Sequence, residues 1–257
     1  MSALLADNYL TLFEEMKKPP EKIFYRGNPL LLERPMVSIV GTRKPSQYTK
    51  QMTADLAHKL AMVGVSVVSG AAMGVDGQAH FGAGYANTVA VLPCGVDVRY
   101  PMVHREMLER IEAEGLLLSQ FEMGALATNW NFVIRNEVVV TLGEVLVVTE
   151  ALRDSGSMRS VAFAQKMGKK IYVLPHRMGE SDGTMDLVKE GHAEIIYDID
   201  LFVSQFGKKV AIDNDPFLKF CQENPEYESV LRAYGDKLSL YELEGKVMVK
   251  NAKVVVL

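Results

Sequence analysis

Four stretches of this chain carry residue types suited to holding phosphate, which needs backbone N–H groups, hydroxyls and cations at close range. In VSVVSGAAMGVDGQAH, Val65 to His80, an apolar run passes through Ser69-Gly70 and reaches Gly74 and Gly77, with Asp76 between them. The pattern predicts a strand, a tight loop and a helix, and a helix start leaves N–H groups free for an anion. Gly41-Thr42-Arg43-Lys44-Pro45 follows another apolar run with small residues, an arginine and a helix-starting proline. Phe132 and then Arg135-Asn136 offer a ring and a hydrogen-bonding cation to a nucleotide. Ser155-Gly156-Ser157 makes another anion nest at a helix N-terminus, with hydroxyls as added donors.

Bond-making chemistry is poorly served. The spaced glycines of the dinucleotide fingerprint are missing after VSIV at 37–40, so no nicotinamide or other cofactor is expected. No metal-ligand cluster and no Ser/His/Asp order suggests itself, and no catalytic or metal residue is assigned. Cys94 is read as a buried thiol rather than a nucleophile. Asp76 and His80 fall one helical turn apart and are expected to hydrogen-bond each other and orient their loop. Trp130 is expected in the helix–sheet core, Phe132 is left open between core and stacking surface, and His176 is read as a surface residue.

The elements that must position these residues are apolar runs: VSIV (37–40), VSVV (65–68), TVAVL (88–92), LLLS (116–119), VLVVT (145–149), IYVL (171–174) and EIIY (194–197). Their spacing is about one strand–helix–strand unit each, and runs apolar on both faces suit parallel strands covered by helices on either side. The predicted fold is α/β, a doubly wound, Rossmann-like, mostly parallel sheet. Loops after the carboxyl ends of parallel strands share one edge of the sheet. Residues 41–43, 69–77, 135–136 and 155–157 are therefore predicted to line one cleft.

A chain of 257 residues holds one large α/β domain and a small appendage. No apolar segment approaches the roughly 18 residues of a membrane span. The acidic N-terminal stretch does not read as a secretory signal, and two cysteines are too few for a disulfide framework, so a cytoplasmic location is expected. The net charge of −4 requires any anion binding to be local. Arg43, Lys44, Lys50, Arg135, Arg153 and Arg159 are expected to make that local patch. Residues 1–33 are read as an N-terminal extension, with a helix from Ala6 to Lys18 broken by Pro19-Pro20 and an extended approach to the first strand. Residues 34–207 form the main domain and 208–257 a small C-terminal one. The tail predicts a linker at Asp213–Pro216, helices at Pro216–Glu223 and Tyr227–Tyr234, and a hairpin over 246–256.

Gly41-Thr42-Arg43 resembles the G-S/T-R motif of the DNA-processing protein A family (DprA, also called Smf). The resemblance continues through Ser69-Gly70, Gly74 to Gly77, Ala79-His80, Gly95-Val96-Asp97 with Tyr100-Pro101, and Leu117-Leu118-Ser119. It extends through Phe132 with Arg135-Asn136, Glu150-Ala151, Ser155-Gly156-Ser157 and Gly183 to Gly191, covering about residues 35–195 in consistent order. It implies a single-stranded DNA-binding protein of natural transformation, a competence and DNA-recombination protein that protects incoming strands. It further implies a homodimer that helps load the RecA recombinase. By position, phosphate contact falls on Arg43, with Gly41, Thr42, Ser69, Gly70, Gly74, Phe132, Arg135, Asn136, Ser155, Gly156 and Ser157 around it. Departures from the family pattern are Glu137 in place of a basic residue, Gln120-Phe121-Glu122-Met123-Gly124 in place of E-F-P-P-G, and His176 in place of glycine. Glu137 is expected to remove positive charge near the pocket. The tail resembles the winged-helix-like C-terminal domain of some members, and its scant basic charge favours protein contact over DNA reading. Two alternatives share this fold: a nucleotide-binding sensor, and a phosphoribohydrolase-like enzyme in which Glu150 is the one candidate catalytic carboxylate.

Overall fold

In the computed structural model, residues 3–4, 7–206, 215–221, 225–243, 246–250 and 252–256 are described. The chain divides into two units, Met1–Phe206 and Gly207–Leu257. In chain order the first unit holds β1 (Ala3–Leu4), α1 (Asp7–Leu10), β2 (Phe24–Gly27), β3 (Met36–Val40), α2 (Gln47–Met62), β4 (Ser66–Ser69) and α3 (Val75–Ala83). It continues with β5 (Thr88–Val91), α4 (Arg105–Glu114), β6 (Leu116–Ser119), α5 (Asn129–Leu142), β7 (Val145–Val148), α6 (Gly156–Lys166) and β8 (Ile171–Val173). Last come α7 (Asp182–Lys189), β9 (Glu194–Ile195) and α8 (Ile199–Val203).

One sheet runs β1-β2-β6-β5-β4-β3-β7-β8-β9, and every pairing from β6 to β9 is parallel. The expected doubly wound, mostly parallel sheet is present. Met36 and Val40 of β3 join a core with α5 and α6, whereas Val37 and Ile39 of the same strand pack with Leu56 and Leu60 of α2 and with Val75 of α3. Alternate side chains of one strand thus feed two apolar layers, which is why the run is apolar throughout.

The N-terminal segment departs from its reading. Its helix covers Asp7–Leu10 and tightens into a 3-10 turn at Thr11–Phe13 instead of running to Lys18. Phe24–Gly27, read as an extended approach, is a strand that pairs antiparallel with β6, Tyr25 opposite Leu118. Phe13 and Ile23 are buried in the α5-side core. Tertiary burial of Phe13 decides where this short segment stops, because so short a helix has little stability of its own.

The second unit contains α9 (Pro216–Cys221), α10 (Tyr227–Tyr234), α11 (Lys237–Leu243) and an antiparallel hairpin of β10 (Val247–Lys250) and β11 (Lys253–Val256). Its own core gathers Phe217, Leu218, Cys221, Val230, Leu238, Tyr241, Val247 and Val254. The sequence reading lacked α11. Residues 213–214 of the linker read at 213–216, and the end of the helix read to Glu223, lie outside the described residues. Among the described residues, no helix is long and apolar enough to cross a membrane.

Candidate nucleic-acid interface

Strand order reverses direction at the β3–β7 pair, since β3 neighbours β4 on one side and β7 on the other. Loops leaving such a pair diverge to opposite faces and open a crevice at the carboxyl edge. The crevice is a cleft of about 600 Å³ lined from β3 and its loop by Val40 to Arg43, from the β4 loop by Ala72, from the first turn of α3 by Asp76, and from the start of α6 by Ser155 to Ser157 with Arg159. The α5 face adds Asn129, Phe132, Val133, Arg135 and Asn136, spaced as one side of a helix. Sequence-predicted Gly41, Thr42, Arg43, Phe132, Arg135, Asn136, Ser155, Gly156 and Ser157 are brought together here; Ser69, Gly70 and Gly74 are not among the lining residues.

Helix caps fix two of the sides. Ser46 caps α2 by accepting from the Thr49 amide at 3.2 Å, and Thr128 caps α5 by accepting from the Asn131 amide at 3.2 Å. Ser155 occupies the same position on α6 but makes no side-chain cap, and its buried hydroxyl has no partner. An orphaned hydroxyl beside a helix N-terminus at the cleft wall is a donor in want of an anion. Glu150 grips the base of the Arg43 loop: its carboxylate accepts from the Ser46 amide at 3.0 Å and from Thr49 Oγ1 at 2.5 Å, and its carbonyl from the Thr42 amide at 2.8 Å. That carboxylate is engaged in structure, which weighs against the catalytic part it was a candidate for.

Arg43 is exposed, with its guanidinium 5.2 Å from the centre of the half-buried Phe132 ring. Tyr100 meets the same ring edge-on at 5.8 Å. Arg43, Lys44, Lys50 and Arg159 are exposed and form no ion pair among the described residues. Two members of the expected patch behave differently. Arg153 is held by Asp182 at 3.1 Å and Asp186 at 2.6 Å. Arg135 is 3% exposed; it donates to the Gly70 carbonyl and, at 3.1 Å, to the Val91 carbonyl, with Asp76 at 3.9 Å. Burial pushes the Asp76 carboxyl up, with Arg135 opposing. Arg135 is thus a strut tying α5 to the ends of β4 and β5, and its charge is offset by Asp76.

The Ser69–Gly77 stretch is corrected in the same sense. Ser69 donates its hydroxyl to the Ile39 carbonyl at 2.6 Å inside the sheet. A Cβ on Gly70 would strike the Arg135 guanidinium, so glycine there makes room for the strut. Gly74, at φ +84, lies against the Thr42 carbonyl and the Arg43 backbone, and the Val75 amide donates to Thr42 O at 3.1 Å. At the start of α3, the Val75 amide that was read as awaiting an anion instead holds the neighbouring loop.

Asp76 and His80 do not bond each other. The Asp76 carboxylate accepts from the Ala72 amide at 3.3 Å. His80 Nε2 accepts from the Ala71 amide at 3.2 Å, and its Nδ1 lies 2.6 Å from Thr88 Oγ1, which donates to the Val67 carbonyl at 2.8 Å. That network requires the proton on Nδ1. Ala71 sits at φ +56, and His104 Nδ1 approaches its carbonyl at 3.0 Å, so two histidines clamp one left-handed residue under the cleft. Burial, assisted by His104 and Arg135, lowers the His80 pKa to about 3. A pKa depressed from 6.5 means the neutral ring's contribution is complete above about pH 6.5 and is lost as pH falls toward 3, at up to about 1.4 kcal/mol per pH unit. Thermal melts between pH 7 and 4 are expected to fall more steeply for the wild type than for His80→Gln. The raised Asp76 carboxyl acts in the opposite sense but is common to both proteins, and equal slopes would remove His80 from the account.

Other expectations resolve plainly. Trp130 is 68% exposed, not core. Glu137 accepts from the Lys17 amide at 3.3 Å and is absent from the cleft lining, so its negative charge faces the N-terminal segment. His176 is half-buried, its Nε2 2.7 Å from the Thr149 carbonyl and its ring edge-on to Tyr48. Burial raises the Cys94 thiol to about 11, an inert setting. Among the described residues, no group of three or more His, Cys, Asp or Glu side chains could hold a metal ion. Arg159, expected in the basic patch, lines the cleft; Asn129 and Val133 were missed as lining residues, although the i, i+3, i+4, i+7 spacing from Asn129 to Asn136 was a readable signal.

The model of the family DNA recombination-mediator protein A matches residues 1–207. Protein Smf from Synechocystis is 32% identical over 214 residues, covering 80% of this chain and 54% of that protein. The chain spans about half the length of such curated relatives. A structure of DNA processing protein A from Helicobacter pylori, reported for its single-stranded DNA binding mode, is 37% identical with a TM-score of 0.77, covering 80% of this chain and 95% of that one. The Streptococcus pneumoniae DprA structure is 30% identical with a TM-score of 0.74, covering 80% and 74%.

Proposed function

The chain belongs to the DNA recombination-mediator protein A family, and from that membership we propose that its cleft binds single-stranded DNA by the phosphate backbone. The observation that carries the reading is the switch-point cleft itself. Unpaired Arg43 and Arg159 stand on two of its walls, with the orphaned Ser155 hydroxyl at the start of α6. These are donors without acceptors, arranged around a half-buried ring. Arg43, Arg159 and the 155–157 turn contact phosphate; Gly41 and Thr42 shape the loop; Asn136 and Phe132 face the strand; Arg135, Ser69, Gly70 and Gly74 hold the walls in place. Binding without turnover fits a site whose lining carboxylate, Asp76, is engaged in structure, as is Glu150 beneath the Arg43 loop.

Family membership supports the wider role: a cytoplasmic homodimer that protects incoming strands during natural transformation and helps load RecA. A dimer doubles the cleft and raises apparent affinity through effective concentration.

The test is fluorescence anisotropy with a labelled oligo-dT and its duplex counterpart across several salt concentrations. Single strands are expected to bind more tightly, with affinity falling about 0.7 log units per log unit of salt for each phosphate contact. Absence of binding to either polymer, with saturation by free nucleotides instead, would hand the cleft to a nucleotide sensor.

A further inference from the structure

The chain's single tryptophan stands on the second residue of α5. Its ring is 68% exposed and makes no aromatic pair among the described residues. A side chain of this size is normally well buried, because leaving it in water forfeits its large apolar area. It directly follows Asn129 and lies one turn before Val133, both of which line the cleft. Helix geometry puts it about 60° around the axis from Val133, on the flank of the cleft-lining face.

The ring inside the cleft is already engaged. Phe132 has the Arg43 guanidinium at 5.2 Å, that of Arg135 at 5.8 Å and the edge of Tyr100 at 5.8 Å. On α5 the open aromatic face therefore belongs to Trp130. The loop leading into α5 is tied down: the Gly124 amide donates to both Asp97 oxygens at 2.9 and 3.1 Å, and Asn131 Nδ2 donates to the Leu126 carbonyl at 3.2 Å. The backbone that carries Trp130 is therefore in place before a strand binds.

We infer that Trp130 is a base-stacking platform at the rim of the cleft, taking an unpaired base of the strand whose phosphates the cleft holds. The inference rests on the single-strand reading above and adds a source of discrimination that phosphate contacts lack. A paired base keeps its faces inside the helical stack, so only a single strand can offer one to the indole.

The lone tryptophan supplies its own reporter. Adding unlabelled oligo-dT to the wild type is expected to quench the indole emission, and a strand of the same length built from abasic sites leaves it unchanged. By anisotropy, Trp130→Ala is expected to weaken oligo-dT binding roughly five- to 150-fold, Trp130→Phe to recover most of that loss, and neither to alter binding of the abasic strand. An exposed side chain can be removed without touching the core, and an unchanged melting temperature checks that. If the wild type binds oligo-dT by anisotropy with unaltered emission, and Trp130→Ala binds equally well, the platform is refuted while the cleft reading stands. If the wild type binds no oligonucleotide, both fall together.

Discussion

Arg135→Ala is expected to lower the melting temperature of the first unit by roughly 10 °C. The substitution strands the Asp76 carboxylate, 6% exposed, without its cation, and it leaves the Gly70 and Val91 carbonyls without their donor. Removing one partner of a buried ion pair costs about 3–5 kcal/mol, and about 2–4 °C accompanies each kcal/mol in a unit of this size. Adding Asp76→Asn to the same protein is expected to restore part of the loss, because the uncompensated charge is then gone; a double-mutant cycle by calorimetry gives the coupling. DNA binding also falls in Arg135→Ala, as a consequence of the displaced cleft floor. The opposite pattern, a wild-type melt with strongly weakened binding, would make Arg135 a direct phosphate ligand and end its role as a strut.

Arg43→Ala is expected to do the reverse. Its guanidinium is exposed and, among the described residues, makes no side-chain hydrogen bond or ion pair, resting against the Phe132 ring, so the melting temperature changes little. Loss of a charge-assisted hydrogen bond to phosphate, about 1.5–3 kcal/mol, weakens oligo-dT binding roughly ten- to 150-fold. The salt dependence is expected to flatten by about 0.7, one contact's share. Arg43→Lys keeps the charge but not the planar fork and is expected to fall between the two. Anisotropy titrations of the three proteins at matched salt decide this. An Arg43→Ala protein with unchanged affinity and slope would move the phosphate path away from the β3 loop, towards Arg159 and α6. The two arginines, both read from sequence as phosphate ligands, are thus separable by one melt and one titration each.

What the sequence alone determined is the sheet and the edge where its loops meet. Runs such as Val37–Val40 and Val145–Val148 are apolar on both faces, and only a sheet covered on both sides buries them. Parallel order then sends residues 41–43 and 155–157 to the same edge without any knowledge of side-chain positions. Tertiary structure alone decided which polar groups remain available there. Arg43 and Arg135 are the same residue type, yet one meets solvent and the other is enclosed by Gly70, Asp76 and Val91, segments far apart along the chain. His80 turns to Ala71 and Thr88 rather than to the carboxylate one helical turn away, because burial demands partners for both ring nitrogens. Trp130 lies outside the core because α5 buries Val138 to Val140, while its first turn borders the open cleft. Periodicity fixes the direction of a side chain on its own element; whether that direction meets water or another strand depends on long-range packing, which no local pattern encodes.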